Sequence, residues 1–283
     1  MSLGKRKEGA VNQRLRPEQV SSYHKNGFLG PIDLLSQDEV AEIRRHVEEI
    51  EAKLGAKMMS RFRIKAHLPF PFLCDLVSHP KLLDTVEDLI GPNVLCWGSS
   101  FFQKEPEDKT FVSWHQDSTY YGLKPPNTLT AWIAISEASI AAGCMRFLPG
   151  SHNKGIYSHD ELKAKVNLLS RGQTVKGIDE SKAVHVPLRA GQFSFHKEDT
   201  LHASHPNSTN DRRIGLSIHY VSPDVRETNF PGASAILMRG RDTHGYWKPE
   251  MRPKADFDPA CLAELDRVFA LYNTAPERRK AVS

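Results

Sequence analysis

"RRIGLSIHYVSP", residues 212–223, reads as a β-strand with two unlike faces. Successive side chains alternate across a strand. Arg213, Gly215, Ser217 and His219 therefore share one side, and Ile214, Leu216, Ile218 and Tyr220 share the other. The second set is apolar and suits packing on a neighbouring layer. The first is polar with two small residues, the pattern of a strand that lines a ligand cavity. The same parity turns Arg213 inward and Arg212 outward. A guanidinium inside a barrel needs an anion. That anion is either an internal Asp or Glu or the carboxylate of a bound molecule.

The surrounding sequence has the same texture from residue 92 onward. Short β-prone runs alternate with Gly, Pro and Asn turns: "NVLCWGSSFFQKE", "FVSWHQD", "TLTAWIAISEA", "GCMRFLPGSH" and "AVHVPLRAGQFSFHKEDTLHASH". Such spacing predicts a mainly β fold, a sandwich or barrel. A helical or loop insertion is expected at 157–182. Upstream, "SQDEVAEIRRHVEEIEAKLG" carries a capping box at Ser36 and Glu39 and a stripe of Val40, Ile43, Val47 and Ile50, which predicts an amphipathic helix. "RPEQVSSYHKNGFL", "HPKLLDTVEDLIGP" and "DPACLAELDRVFALYN" also read as helices. The expected organisation is a polar, flexible tail over 1–16 and one domain over 17–283, with helices flanking the β core at both ends.

Composition narrows the function. The chain has 283 residues, 39% hydrophobic and 25% charged, with a net charge of +4. That suits a globular protein with a sizeable core. There is no basic run or basic, aromatic-interleaved helix of the kind that binds nucleic acid, and no apolar run long enough for a membrane span. Cys74, Cys96, Cys144 and Cys261 are scattered without a C-x-x-C pair, so reduced thiols are expected rather than a disulfide framework. The first residues lack a signal-type apolar stretch, and a cytoplasmic location is the expectation. Oligomeric state is left open by the sequence.

The candidate chemistry starts at "FVSWHQDSTYYGL", residues 111–123. On a strand, His115 and Asp117 project together and Gln116 faces away. An H-x-D pair alone is weak evidence, since most are incidental. Further histidines, His196, His202, His205 and His219, lie in the C-terminal β-rich part. Two His and one carboxylate with open coordination positions form the facial triad of non-haem Fe(II) oxygenases. A keto-acid co-substrate would fill two of those positions and need an inward arginine for its far carboxylate.

With these residues assembled, the chain resembles the phytanoyl-CoA dioxygenase family of Fe(II)/2-oxoglutarate-dependent oxygenases. The resemblance runs from about residue 17 to residue 222. It rests on "WHQDSTYYGL", "TAWIAI", "GCMRFLPGSHNKG", "GQFSFHKEDTLHASHPNSTNDRR" and "IHY". It implies a double-stranded β-helix, the cupin-like jelly roll. It implies His115, Asp117 and His202 as iron ligands, and Arg213, eleven residues after His202, as the grip on 2-oxoglutarate. Ser204 would add a hydroxyl to the same carboxylate, and Trp132 and Gln103 would line the co-substrate pocket. The implied reaction consumes O2 and 2-oxoglutarate, releases succinate and CO2, and hydroxylates a C–H bond. Halogenating relatives replace the carboxylate of the H-x-D with Ala or Gly, so Asp117 favours hydroxylation.

The substrate is expected to be a small, anionic metabolite. Similarity to a "WHQD…TYWGL"-like stretch of bacterial aminophosphonate hydroxylases points first to 2-aminoethylphosphonate or a related phosphonate. An amino acid or a natural-product intermediate is the alternative. Tyr120, Tyr121, Asn127, Arg61 and Arg241 are the substrate-contact candidates, with Arg63, Lys65, Arg239 and His244 nearby in sequence. A reading from another class is a cupin-like metal-binding protein or a zinc enzyme on the same ligands; it leaves Arg213 without a role.

Overall fold

The computed structural model describes residues 15–161 and 164–273. The chain opens with helix α1 (Pro17–Asn26), strand β1 (Phe28–Asp33) and helix α2 (Gln37–Leu54). Three shorter helices follow: α3 (Met58–Arg61), α4 (Pro71–Val77) and α5 (Pro80–Ile90). The long strand β2 (Val94–Lys104) begins the β core. It continues through β3 (Val112–His115), β4 (Thr128–Ala134), β5 (Met145–Phe147), β6 (Val184–Val186), β7 (Gln192–His196), β8 (His202–Ser204), β9 (Arg213–Val221), β10 (Ser234–Arg239) and β11 (Lys248–Pro249). Helix α6 (Pro259–Asn273) closes the described chain.

Two sheets result. The larger runs β1-β7-β4-β9-β2-β10-β11 and the smaller β3-β8-β5-β6. With helices at both ends, this is the jelly-roll architecture the sequence predicts. β9 is central, hydrogen-bonded to β2 on one side and β4 on the other. Its apolar face, Ile214, Leu216, Ile218 and Tyr220, is fully buried in the main core with residues from α2, α4 and α5. Its polar face turns toward the smaller sheet and lines a cavity.

Local signals explain the flanking helices. In α2 the Ser36 hydroxyl accepts from the Glu39 N–H at 3.2 Å, and the Glu39 carboxylate accepts from the Ser36 N–H at 2.7 Å. This reciprocal pair satisfies two otherwise orphaned donors. Gly55 ends the helix in the left-handed region, where a residue without Cβ is favoured. Leu82, Leu83, Val86 and Ile90 form the buried stripe of α5.

One expectation shifts. Residues 1–14 lie outside the described residues, but Leu15 is not part of a tail: it is buried, and its N–H donates to Asp88 at 2.8 Å. The expected helical or loop insertion over 157–182 is of the loop kind among its described residues; it holds a two-residue ribbon, Asp160–Glu161 with Gln173–Thr174, and a single 3-10 turn. All four cysteines are free and buried. Among the described residues no helix is long and apolar enough to cross a membrane.

A buried ionic cluster ties the segment before β2 to the chain after β11. The Lys65 ammonium meets Glu250 at 2.5 Å and donates to the carbonyls of Trp97 and Ser234. The other Glu250 oxygen faces His67 at 3.2 Å, and Ser234 donates to Glu250 at 2.7 Å. Burial alone would push the Glu250 carboxyl up, but Lys65 and His67 outweigh it and hold the group at about 2, below its ordinary 4.5. A carboxylate depressed in the folded state stabilises above its unfolded value, and that stability is lost as pH falls through the folded one. The contribution is roughly 3 kcal/mol. It should be complete above about pH 5 and disappear toward pH 2. Urea denaturation of the wild type and Glu250→Gln should show a stability gap that narrows as pH falls from 5 to 3. A gap that stays constant would show that this ion pair does not govern acid stability.

Candidate functional site

The two ligand-type histidines are placed by strand pairing. His115 ends β3, His202 opens β8, and the two are direct partners across the ladder. Each ring is oriented from behind. Nδ1 of His115 lies 2.9 Å from the Ser113 carbonyl, and Nδ1 of His202 lies 2.9 Å from the Thr200 carbonyl. A carbonyl only accepts, so Nδ1 carries the hydrogen in both rings, and in the neutral ring Nε2 keeps its lone pair.

Those lone pairs converge on Asp117. Its Oδ1 lies 3.2 Å from His115 Nε2 and 3.7 Å from His202 Nε2. The donor atoms of the three residues all lie within 4.8 Å of one another. Asp117 does not sit on the strand as the i, i+2 reading expects. β3 stops at His115, and Asp117 opens a single 3-10 turn, Asp117–Thr119. Convergence is instead secured by Gln116, which is buried and points away. Its amide donates to the carbonyls of Gly155 and Asp199 at 3.0 and 2.8 Å, and its oxygen accepts from Tyr157 at 2.8 Å.

The donor set fits a cation. Burial, and then the neighbouring His115, hold the His202 imidazole well below its usual range, so it is neutral. Burial would raise Asp117, but the surrounding histidines outweigh it and keep the carboxylate ionised. A carboxylate oxygen with two imidazole nitrogens 3.2 and 3.7 Å away is a donor set that one cation can bridge. Two donors each ~2.1 Å from one ion and at right angles stand ~3 Å apart, close to the His115–Asp117 separation. His196 occupies the other side of Asp117, with Nε2 3.3 Å from Oδ2. It orients the carboxylate and is not one of the three converging donors.

The triad opens into a cavity of about 360 Å³ between the two sheets. Arg213, Ser204 and Trp132 line it beside the triad. Arg213 is buried; one nitrogen donates to the Gly143 carbonyl at 2.6 Å, and Nε has no partner. Among the described residues no carboxylate pairs with it. Burial pushes its guanidinium down to about 10. It lies 5.4 Å from the centre of the Trp132 ring, within the range of a cation–π contact. Trp132 itself packs over Gly215, where an added Cβ would fall 1.9 Å from the indole.

Arg212, one residue earlier, is the opposite case. It faces outward and meets Glu51 at 2.8 Å, Glu105 at 3.1 Å and Glu48 at 3.7 Å.

The other candidates separate cleanly. Tyr120 and Tyr121 line the cavity, as does His219. Gln103 does not: it pairs with Ile214 in the ladder, faces the α2 side, and binds Glu51 and the Met59 N–H at 2.8 and 2.9 Å. Lys104, the position opposite Arg213, shares the face of that arginine but is not part of the cavity lining either. Asn127, Arg61 and Arg241 are also absent from the cavity wall. The Asn127 amide turns toward the Ile90 carbonyl, and Arg61 and Arg241 are exposed. Arg63 is the exposed arginine that reaches the lining. Trp97, Leu168, Leu169, Phe269 and Tyr272 also line the cavity. These come from β2, the 157–182 insertion and α6, segments whose meeting no local pattern announces.

Comparison with known proteins agrees with this geometry. Residues 23–215 match the phytanoyl-CoA dioxygenase (PhyH) family. A probable alpha-ketoglutarate-dependent hypophosphite dioxygenase of Stutzerimonas stutzeri is 28% identical over 252 residues, covering 80% of this chain and 87% of that protein. The peroxisomal phytanoyl-CoA dioxygenase of Homo sapiens is 27% identical over 247 residues, covering 79% and 73%. Among solved structures, the apo form of the non-heme monooxygenase ThoJ matches with a TM-score of 0.78 at 32% identity, covering 91% of this chain and 96% of that one. The non-heme alpha-ketoglutarate-dependent carbocyclase SnoK from nogalamycin biosynthesis matches with a TM-score of 0.61 at 28% identity, covering 76% and 87%. The chain belongs to the phytanoyl-CoA dioxygenase family and is an enzyme of the 2-oxoglutarate-dependent, non-haem dioxygenase class.

Proposed function

We propose that this enzyme hydroxylates a C–H bond of a small organic molecule, using Fe(II), 2-oxoglutarate and O2. His115, Asp117 and His202 would hold the iron; Arg213 and Ser204 would hold the distal carboxylate of 2-oxoglutarate, with Trp132 as a wall. When bound, iron and the keto acid together activate dioxygen, yielding succinate, CO2 and an oxidant for the substrate. The residues of the chain position. The Ser113 and Thr200 carbonyls fix the imidazole tautomers, and His196 turns the carboxylate.

One observation carries the reading: a buried guanidinium with no carboxylate partner opens into the same cavity as the triad. An uncompensated buried charge is costly, and a dicarboxylate co-substrate supplies the missing anion. A zinc or storage protein on the same ligands has no use for it. Retention of Asp117 supports hydroxylation over halogenation.

For the substrate, the apolar and aromatic part of the lining favours an apolar or aromatic body, as in an amino acid or a natural-product intermediate. Trp97, Tyr121, Leu168, Leu169 and Phe269 form it. The phosphonate reading draws on the hypophosphite dioxygenase relative and on Arg63 at the wall. A panel of phosphonates, amino acids and aromatic metabolites, scored by succinate release, separates the two. Stimulation by phosphonates alone would put the phosphonate first and remove the apolar or aromatic body.

The site itself is tested by anaerobic titration with Fe(II) and 2-oxoglutarate, which should give a weak visible charge-transfer band in the wild type. Asp117→Ala should lower substrate-dependent succinate release at least ~100-fold, beyond the 10–100-fold typical of outer-shell partners. Full activity in that variant would sink the triad assignment. Gly215→Ala should leave the fold intact but displace Trp132, raising KM for 2-oxoglutarate roughly tenfold, about 1.4 kcal/mol, with a smaller change in kcat. An unchanged KM would show that the indole does not shape the co-substrate pocket.

A further inference from the structure

Lys104 ends β2 and stands opposite Arg213 in the antiparallel pair with β9. Directly opposed residues project to the same face, so two cationic side chains enter the same end of the space between the sheets. Lys104 is fully buried. Its nitrogen lies 2.8 Å from Ser204 Oγ and also donates to the His205 carbonyl. Among the described residues no ion pair joins either Lys104 or Arg213 to a carboxylate. Ser204 lines the cavity, and Lys104 lies behind it.

The direction of the Ser204 hydroxyl depends on this lysine. An ammonium only donates, and a hydroxyl has a single hydrogen. When Lys104 is charged, Ser204 must accept from it, and the serine hydrogen is free to turn into the cavity. When Lys104 is neutral, its lone pair can take that hydrogen and draw it out of the cavity.

We propose that Lys104 is a positioning residue for the distal carboxylate of 2-oxoglutarate, acting through Ser204, and that it takes up a proton from solvent as the dicarboxylate binds. The inference rests on Arg213 being the seat of that carboxylate. The charges around Lys104 agree. Burial first, then the positive charge of Arg213, hold its amine down at about 6. Arg146 on β5 adds to the depression, while Asp108 after β2 and Cys144 before β5 oppose it. His205, whose carbonyl takes one of the lysine hydrogens, is itself held low by burial first and then by Arg146. A carboxylate seated on Arg213 cancels the main opposing charge and adds an attraction of its own. The change is one of protonation only: the amine gains one proton and becomes ammonium as the anion enters.

Linkage sets the sign. Below about pH 6 the lysine is already charged and binding is tightest. Above it, each bound dicarboxylate must draw a proton, so affinity falls as pH rises, by at most about tenfold per pH unit. The test is calorimetric titration of the anaerobic Fe(II) enzyme with 2-oxoglutarate from pH 6 to 8, in buffers of different ionisation enthalpy. The wild type should take up close to one proton per site near pH 7.5, with Kd rising severalfold per unit. Lys104→Met should bind more weakly, without uptake and with a flat profile. Lys104→Arg keeps a charge that does not titrate and should show a flat profile too. Ser204→Ala should weaken binding yet keep the uptake. Binding by the wild type without proton uptake, or equal uptake in Lys104→Met, overturns the role of Lys104 alone. No binding of 2-oxoglutarate by the wild type overturns the co-substrate assignment as well.

Discussion

A single unneutralised guanidinium organises the interior of this jelly roll. Arg212 and Arg213 are adjacent and chemically identical, yet strand alternation sends them into opposite environments. Arg212 meets three carboxylates on the α2 side, and Arg213 meets only a backbone carbonyl and an indole face. Holding a charge in that state costs free energy. The cost is sustained by the rest of the sandwich, whose apolar face on β9 is buried without exception from Ile214 to Tyr220. Core packing on one side of the strand thus holds an anion receptor in place on the other.

The end that holds His115, Asp117 and His202 obeys a different rule, in which each of the three candidate donors is oriented by groups that are not themselves donors. Two main-chain carbonyls choose the tautomer of His115 and His202, and His196 turns the Asp117 carboxylate. Gln116, locked by three hydrogen bonds, anchors the short turn that presents Asp117. None of these supporting groups is itself a ligand. Their effect is to leave two imidazole nitrogens and one carboxylate oxygen aimed at a common point, an arrangement suited to a cation.

How much of this is legible in the sequence depends on the range of the signal. Local signals read true: the Ser36–Glu39 capping box, the apolar stripes of α2 and α5, and the two faces of β9. Strand parity places Arg213, because the polar and apolar sets on β9 differ so plainly. On β2 parity gives no such guide. "FFQK" has no equally clear alternation, so the sequence suggests Gln103 where pairing with β9 puts Lys104 inward. The apolar part of the cavity lining stays hidden for a stronger reason. It is built from β2, the 157–182 insertion and α6, and their meeting is a property of the whole fold. Basic residues selected for charge alone, Arg61 and Arg241, fall outside the wall because exposure, not charge, decides where such side chains rest.

Gly215 has a consequence of another kind. Its φ is not in the left-handed region, so its backbone would accept any residue; what forbids one is the indole lying over it. The Arg213 end of the cavity is therefore shaped by a missing atom as well as by its charged groups. A receptor defined this way can be retuned by steric change alone. Variation at the strand position between the arginine and Ser217 would reset the size of the anion seat while every charged and hydrogen-bonding group stayed in place. In a family whose members act on diverse molecules, such a position offers a route to altered co-acid preference that leaves the metal centre untouched.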